Sequence, residues 1–314
     1  MDEIRKAVLS VISQVNGAVL GKEEMVREVM IAFLAGGHVL LTDLPGTGKT
    51  TMAMAFAGAM DLEYHRVQMT PDVMPSDLTG FSVYQKERED FVFRKGSVFC
   101  NLLLADELNR TSPKTQSALL EVMEEGKTTG EGITRQLPTP FLVIATQNPA
   151  GSTGTQPLPQ SQVDRFMVSL SIGYPDFEHE VAMAKQFSCK KAADQVNCAI
   201  GREDFTAAQK SVEQIYLSED MFRYVTSLVR ASRNHPLIQQ GAGPRATLAL
   251  VKTARAAAWL DGREYAAPRD VESQFFYVMQ HRIHLFRQAR MDGEDSGSVL
   301  LQILRETEKP SMGA

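Results

Sequence analysis

The chain has 314 residues, with 33 Lys+Arg against 38 Asp+Glu and a formal net charge of −5. That length allows two domains with separate cores, and the acidic balance lacks the basic footprint of a protein whose main partner is nucleic acid. No run of about 18 apolar residues occurs, so no membrane span is expected, and the start MDEIRKAVLS lacks the order of a signal peptide.

Ile4, Val8, Ile12 and Val15 recur at helical spacing and predict an amphipathic first helix. Val19-Leu20-Gly21 breaks it; the break either lines a base pocket or is a plain turn between helices. A second helical stretch, Glu23 to Leu34, leads into the apolar run His38-Val39-Leu40-Leu41. There follows LTDLPGTGKTT, ending at Thr51, with the layout of a phosphate-binding loop between a buried strand and a helix. Gly46 and Gly48 let backbone N–H groups approach phosphate oxygens closely. Lys49 supplies a point charge for the β- and γ-phosphates, and the Thr50 hydroxyl is a hard ligand suited to Mg²⁺. Pro45, Gly46, Thr47, Gly48, Lys49, Thr50 and Thr51 are therefore the expected nucleotide-contacting run, with the dipole of the following helix aimed at the same anion. Asp43 stands where the strict pattern has Gly.

Glu63 to Met69 reads as a short strand and TPDVMPSDLTG as a loop. Phe81 to Tyr84 and Phe91 to Phe93, separated by the charged QKERED, predict an exposed hairpin. Val98 to Ala105 is a nearly continuous apolar run, as in a strand buried on both faces of a parallel sheet. It ends in Asp106-Glu107, and two acids there are costly without a task. Asp106 is expected to hold the Mg²⁺ shell, and Glu107 to orient and polarise the attacking water. Asn109, Thr111 and Ser112 suit an N-cap for the helix PKTQSALLEVMEEG.

Gly126 to Pro138 predicts a second hairpin, turning at Gly130-Glu131-Gly132. Phe141 to Ala145 is another buried strand, followed by Asn148, which either holds the attacking water or is a turn residue before Pro149. After the loop at 149–160, Arg165 precedes a strand, Met167 to Ile172. It is either an ion-pair partner of Asp164 or an arginine finger. Gly173-Tyr174-Pro175 marks a domain boundary, and no strand is expected beyond it. Pro244-Arg245 opens a long helix; an Arg in the first turn opposes the dipole, so Arg245 is either functional or merely solvated. Pro268 opens another helix, expected to run to about Phe286 and to end in a solvated basic stretch, HRIHLFR, with His281 and His284 on one face. The polar tail is expected to fray, apart from a turn or two at Ser298 to Leu304. Cys100, Cys189 and Cys198 make neither a disulfide framework nor a zinc spacing, which suits a cytoplasmic protein.

LTDLPGTGKT, QMTPDVMPSDLTG, VFRKGSVFCNLLLADELNRTSPKTQSALLEVMEEG, ATQNP, PLPQSQVDRF and GPRATLAL together resemble the MoxR family of AAA+ ATPases, from about residue 19 to 286. The resemblance implies an α/β P-loop core (αβα, parallel sheet) over 1–173 and a second, all-helical lid domain over 174–314, with a linker at about 174–205. It implies ATP hydrolysis with Mg²⁺ at subunit interfaces of a ring, usually a hexamer. Lys49 and Thr50 fall at its first nucleotide motif, and Asp106 and Glu107 at its second. Asn148 falls at the first sensor, Arg165 at the arginine finger and Arg245 at the second sensor. Val19, Leu20 and Gly21 fall at the base pocket. The hairpins fall where this clade faces a pore or client. The family is associated with maturation of other proteins, including metal-centre insertion, alongside von Willebrand factor A-type partners. The rival readings are a nucleic-acid motor or loader on the same core, and a nucleotide-gated binding module with little turnover. The hairpin tips carry few cations for the first rival.

Overall fold

The computed structural model describes residues 2–42, 47–87, 89–148, 155–174, 176–188 and 196–310. Two helices, α1 (Asp2–Ala18) and α2 (Glu23–Leu34), lead into β1 (Val39–Thr42), α3 (Lys49–Ala59) and β2 (Tyr64–Gln68). Next come α4 (Pro75–Thr79) and the hairpin β3 (Phe81–Gln85) and β4 (Asp90–Arg94). After β5 (Leu102–Asp106) and α5 (Pro113–Glu125) comes a second hairpin, β6 (Lys127–Gly130) and β7 (Ile133–Gln136). The core closes with β8 (Leu142–Gln147), α6 (Gln160–Val163) and β9 (Val168–Leu170).

Five strands form one parallel sheet in the order β2-β5-β8-β1-β9. Their apolar runs serve both faces, because side chains alternate along a strand. Val39 and Leu41, Leu102 and Leu104, and Leu142 and Ile144 enter one core. Leu40, Leu103, Ala105, Val143 and Ala145 enter the other. His38, just before β1, is buried and joins three elements. Its Nε2 donates to the Met123 carbonyl at 2.9 Å, and its Nδ1 accepts from the Val143 N–H at 3.1 Å. Burial lowers its pKa to about 4, so the ring is neutral.

The TPDVMPSDLTG loop contains one short helix, α4. Pro75 opens it, and Asp77 accepts from the Met74 N–H at 2.9 Å. Ser112 is the N-cap of α5, accepting from the Thr115 N–H at 3.2 Å. Both hairpins form as expected, the second turning through Glu131 and Gly132 at φ 56° and 75°. They are tied together. The Glu131 carboxylate accepts from the Ser82 N–H at 3.3 Å and from its hydroxyl, and the Arg135 guanidinium lies 3.7 Å from the Phe93 ring centroid.

Beyond β9 the described chain is mainly helical: α7 (Phe177–Ser188), α8 (Arg202–Glu213), α9 (Glu219–Asn234), α10 (Pro244–Leu260), α11 (Pro268–Met279), α12 (Arg287–Met291) and α13 (Ser296–Glu306). The expectation of no strand after Gly173 needs correcting, since β10 (Ile238–Gln240) and β11 (His284–Leu285) pair antiparallel. The helix expected to reach Phe286 ends at Met279. Its HRIHLFR stretch is not a solvated end: Arg282 is 3% exposed, and Ile283 and Leu285 are buried. His281 lies in the turn and His284 on β11, so they share no helix face. The turn or two expected at Ser298 to Leu304 forms as part of α13. Val299, Leu300 and Ile303 of α13 are buried, with α13 packed on α9 and α11. Among the described residues there is no group of His, Cys, Asp and Glu that could hold a metal, and Cys100 and Cys198 are unpaired; Cys189 lies outside them. No described helix is long and apolar enough to cross a membrane.

One core runs from α1, α2 and the sheet into the lid helices, through Val15, Val29, Leu228, Leu250 and Phe275. Inside that junction Gln274 of α11, fully buried, donates to the Glu28 carboxyl of α2 at 2.7 Å. Burial, opposed by the Gln274 hydrogen bond and by Arg27, raises the Glu28 pKa from 4.5 to about 7. The Gln274 Oε1 has no protein partner; a protonated Glu28 can donate to it. A raised carboxyl pKa stabilises the fold fully below pH 4.5, and the contribution is lost as pH rises through about 7. Its full size is about 3 kcal/mol by proton linkage. Glu28→Gln, which carries a donor at all pH values, is expected to flatten this decline. Urea unfolding of both proteins from pH 5 to 8 checks it, and parallel curves would refute the assignment.

Candidate nucleotide site

The C-terminal ends of β1, β8 and β5 lie side by side, which is where open parallel sheets bind ligands. Gly48 caps α3 at φ 88°, a conformation that disfavours any side chain. Lys49 opens α3 and is buried; Thr50 and Thr51 complete its first turn, and Thr47 is buried just before it. Pro45 and Gly46, with Asp43, lie outside the described residues. Val19 comes against the loop: a Cβ built on Gly48 would sit 3.7 Å from its Cγ1. Leu20 adjoins it, and Gly21 turns at φ 70° against His179. The turn between α1 and α2 therefore flanks the loop. Lys22 anchors that turn, its ammonium donating to the carbonyls of Ile172, Gly173 and Tyr174 at 2.7, 3.1 and 2.9 Å.

At the end of β5, Glu107 takes a left-handed backbone (φ 58°), a conformation that costs a non-glycine residue about 1–3 kcal/mol. One buried hydroxyl holds it there. Thr146 of β8 accepts from the Glu107 N–H at 2.8 Å and donates to Asp106 Oδ1 at 2.7 Å. Arg66 of β2 donates to Asp106 Oδ2 at 2.7 Å. The Glu107 carboxylate accepts from Gln68 at 2.7 Å, Arg110 at 2.8 Å and Asn148 at 3.2 Å. Burial alone would raise its pKa, but the bonds from Arg110, Asn148 and Gln68 outweigh it and hold the carboxyl below the usual range. Such a group accepts a hydrogen bond from water more readily than it takes the proton. Asn148 is itself fixed by the Asn109 side-chain amide, whose Nδ2 donates to the Asn148 carbonyl and whose Oδ1 accepts from the Asn148 N–H, both at 3.1 Å.

Arg165 and Arg245 are not at this end. Arg165 donates to the Leu120 carbonyl at 3.0 Å and pairs with Glu124 at 3.0 Å; Arg245 pairs with the other oxygen of the same carboxylate. They line a cleft of about 250 Å³ with Gly37 and His38. That places them at the start of β1, whereas Lys49 follows its end about 10 Å away. Asp164 is not the partner of Arg165, since it pairs with Arg282 at 2.8 Å. Sequence reasoning missed Thr146, Gln68, Arg66, Arg110, Glu124 and Arg282. Thr146 had a signal, a hydroxyl on the strand next to the acid pair. The others are ordinary polar residues until the sheet order is known.

A parallel five-stranded sheet with a phosphate loop on β1, an acid pair on β5, an amide on β8 and a helical lid defines an AAA+ ATPase. Residues 38–168 match the model of the ATPase family associated with various cellular activities, and 230–303 match an AAA lid domain. The chain is 34% identical over 312 residues to chaperone MoxR1 of Mycobacterium tuberculosis, covering 96% of this chain and 82% of that protein. It is 40% identical over 299 residues to the uncharacterized protein YeaC of Bacillus subtilis, covering 95% and 93%. A crystal structure from Cytophaga hutchinsonii, of a protein assigned to the ATPases, superposes with a TM-score of 0.91 at 36% identity over 98% and 96% of the two chains. The chain belongs to the MoxR family of AAA+ ATPases.

Thr146→Val removes the partner of both Asp106 and the Glu107 N–H while conserving volume. It is expected to lower stability by about 1–3 kcal/mol, with Thr146→Ser close to the parent. Denaturant midpoints of the three proteins provide the check.

Proposed function

We propose that this protein hydrolyses ATP at sites shared between subunits of a ring, with a hexamer as the expected size, and uses the motion to remodel or mature a client protein. The observation that carries the shared site is the pairing of Arg165 and Arg245 on Glu124, away from the phosphate loop. Two arginines held by one exposed carboxylate are poised to exchange it for a phosphate. In this reading both arginines serve the ATP of an adjoining subunit, and Glu124 holds them between engagements.

The residues present fit Mg²⁺. Thr50 and Asp106 are hard oxygen donors, and Arg66 on Asp106 is an exposed cation able to give way. When bound, the ion would neutralise charge on the β- and γ-phosphates. Gly48, Lys49 and the N–H groups of α3 hold the phosphates, and Val19, Leu20 and Gly21 flank the base. Glu107 orients a water for in-line attack once Gln68 or Arg110 yields one of its oxygens, with Asn148 fixing the other. The joined hairpins are the surface offered to the client. A von Willebrand factor A-type domain as partner follows from the family alone. A cytoplasmic location remains the expectation.

Glu107→Gln is expected to bind ATP with little turnover. Arg165→Ala is expected to lower turnover about 10³-fold with ATP binding kept. Phosphate release from a mixture of the two tests sharing, because Glu107→Gln subunits supply intact arginines to Arg165→Ala sites. Activity above the sum of the separate proteins is expected. A mixture as inert as its parts would overturn the shared site.

A further inference from the structure

Arg165 lies on the core, but the lid holds the chain on both sides of it. Arg282 follows α11 and is almost fully buried. Its Nε donates to Asp164 Oδ1 at 2.8 Å, and its Nη2 to the carbonyls of Asp164 at 3.1 Å and Phe166 at 2.6 Å. Its Nη1 donates to the Met167 carbonyl at 3.0 Å and to the Val278 carbonyl in the last turn of α11. A guanidinium has five N–H donors, and each has an acceptor here. Arg282 thus has no donor left for a phosphate. Its charge is buried to bind residues 164, 166 and 167, which flank Arg165, to the end of α11.

Its neighbours strengthen the strap. The Gln280 amide donates to the Ser169 carbonyl at 2.5 Å, and Gln160 donates to the His281 carbonyl at 3.1 Å. His281 Nε2 faces the Phe166 carbonyl at 3.2 Å, and His284 pairs with Gln160. Every residue from 280 to 282, together with 284, therefore grips the 160–169 segment.

We propose that Arg282 is a positioning residue for Arg165: through it, rotation of the lid in one subunit sets the reach of the cation presented to the adjoining subunit's ATP. The proposal rests on the shared-site reading above. A flexible surface arginine would offer its charge regardless of lid position. An arginine whose two flanking residues are hydrogen-bonded to Arg282, itself bound to the last turn of α11, moves with the lid. The same rotation moves Arg245, which stands on α10 and shares Glu124 with Arg165.

Arg282→Lys keeps a charge but loses the planar fork that serves five acceptors. Asp164→Asn keeps an acceptor, removes the ion pair and leaves the rest of the strap. Both are expected to bind ATP as the parent does while kcat per subunit falls about 10-fold or more, the scale of a small misplacement of a catalytic group. The deciding measurement mixes each variant with Glu107→Gln. Those subunits cannot hydrolyse ATP, but they offer a correctly held Arg165 to the variant's own intact site. Recovery of phosphate release is expected, as for Arg165→Ala mixed with Glu107→Gln. If the Arg165→Ala mixture recovers and neither variant's mixture does, Arg282 acts within its own subunit and the positioning role is wrong. If the Arg165→Ala mixture also stays inert, the shared site itself fails and the proposal falls with it. Parental turnover in Asp164→Asn, a folded protein by its ATP affinity, also overturns it should Arg282→Lys not fold.

Discussion

The active end of this molecule depends on β8 lying between β1 and β5. Three successive residues at its tip face three tasks. Gln147 donates to the Thr42 hydroxyl at the end of β1, Thr146 bonds Asp106 and the Glu107 backbone, and Asn148 meets the Glu107 carboxylate. Parallel strands put their C-terminal ends on one edge, so a residue on the middle strand reaches both neighbours. The phosphate loop and the acid pair, almost 60 residues apart along the chain, are brought into one site by that strand alone.

The charged pairs divide by burial, and burial decides what each can do. Arg66 on Asp106, Arg110 on Glu107, and Arg165 and Arg245 on Glu124 are partly solvated. Pairs of that kind contribute about 0–1 kcal/mol, so a phosphate or a metal ion can displace them at little cost. Arg282 and Asp164 are a different case. The Asp164 carboxylate is partly solvated too, but the Arg282 guanidinium is buried and all of its donors are bound. The exchangeable pairs surround the proposed chemistry, and the buried Arg282 guanidinium joins lid to core.

That joint is broad. The lid helices share a core with α1, α2 and one face of the sheet, and the Glu28–Gln274 bond lies inside it. A lid packed on apolar surface moves by sliding or small rotation and not by swinging on a linker. The two hairpins are joined through Glu131, Ser82, Arg135 and Phe93. A displacement of one hairpin is therefore transmitted to the other.

Much of this was legible in order along the chain. The phosphate loop, the acid pair, both hairpins and the apolar strands are local patterns, set by glycine geometry, side-chain alternation and the cost of burying carboxylates. Lys49, Thr50, Asp106, Glu107 and Asn148 could be named as candidates from residue type, the first two at a helix start and the others at strand ends. What the chain could not declare was partnership over long separations. Asp164 beside Arg165 suggested a local ion pair, yet its partner lies 118 residues away. HRIHLFR suggested a solvated helix end because its cations are dense, but Arg282 is buried by acceptors that exist only once β9 is in place. The α1–α2 turn read either way in the sequence, and only the fold brings Val19 near Gly48. Local sequence determined which elements form and which residues are candidates for the chemistry. Tertiary structure decided which charge meets which, because electrostatic pairing depends on distance and burial, and neither is a property of neighbours in sequence.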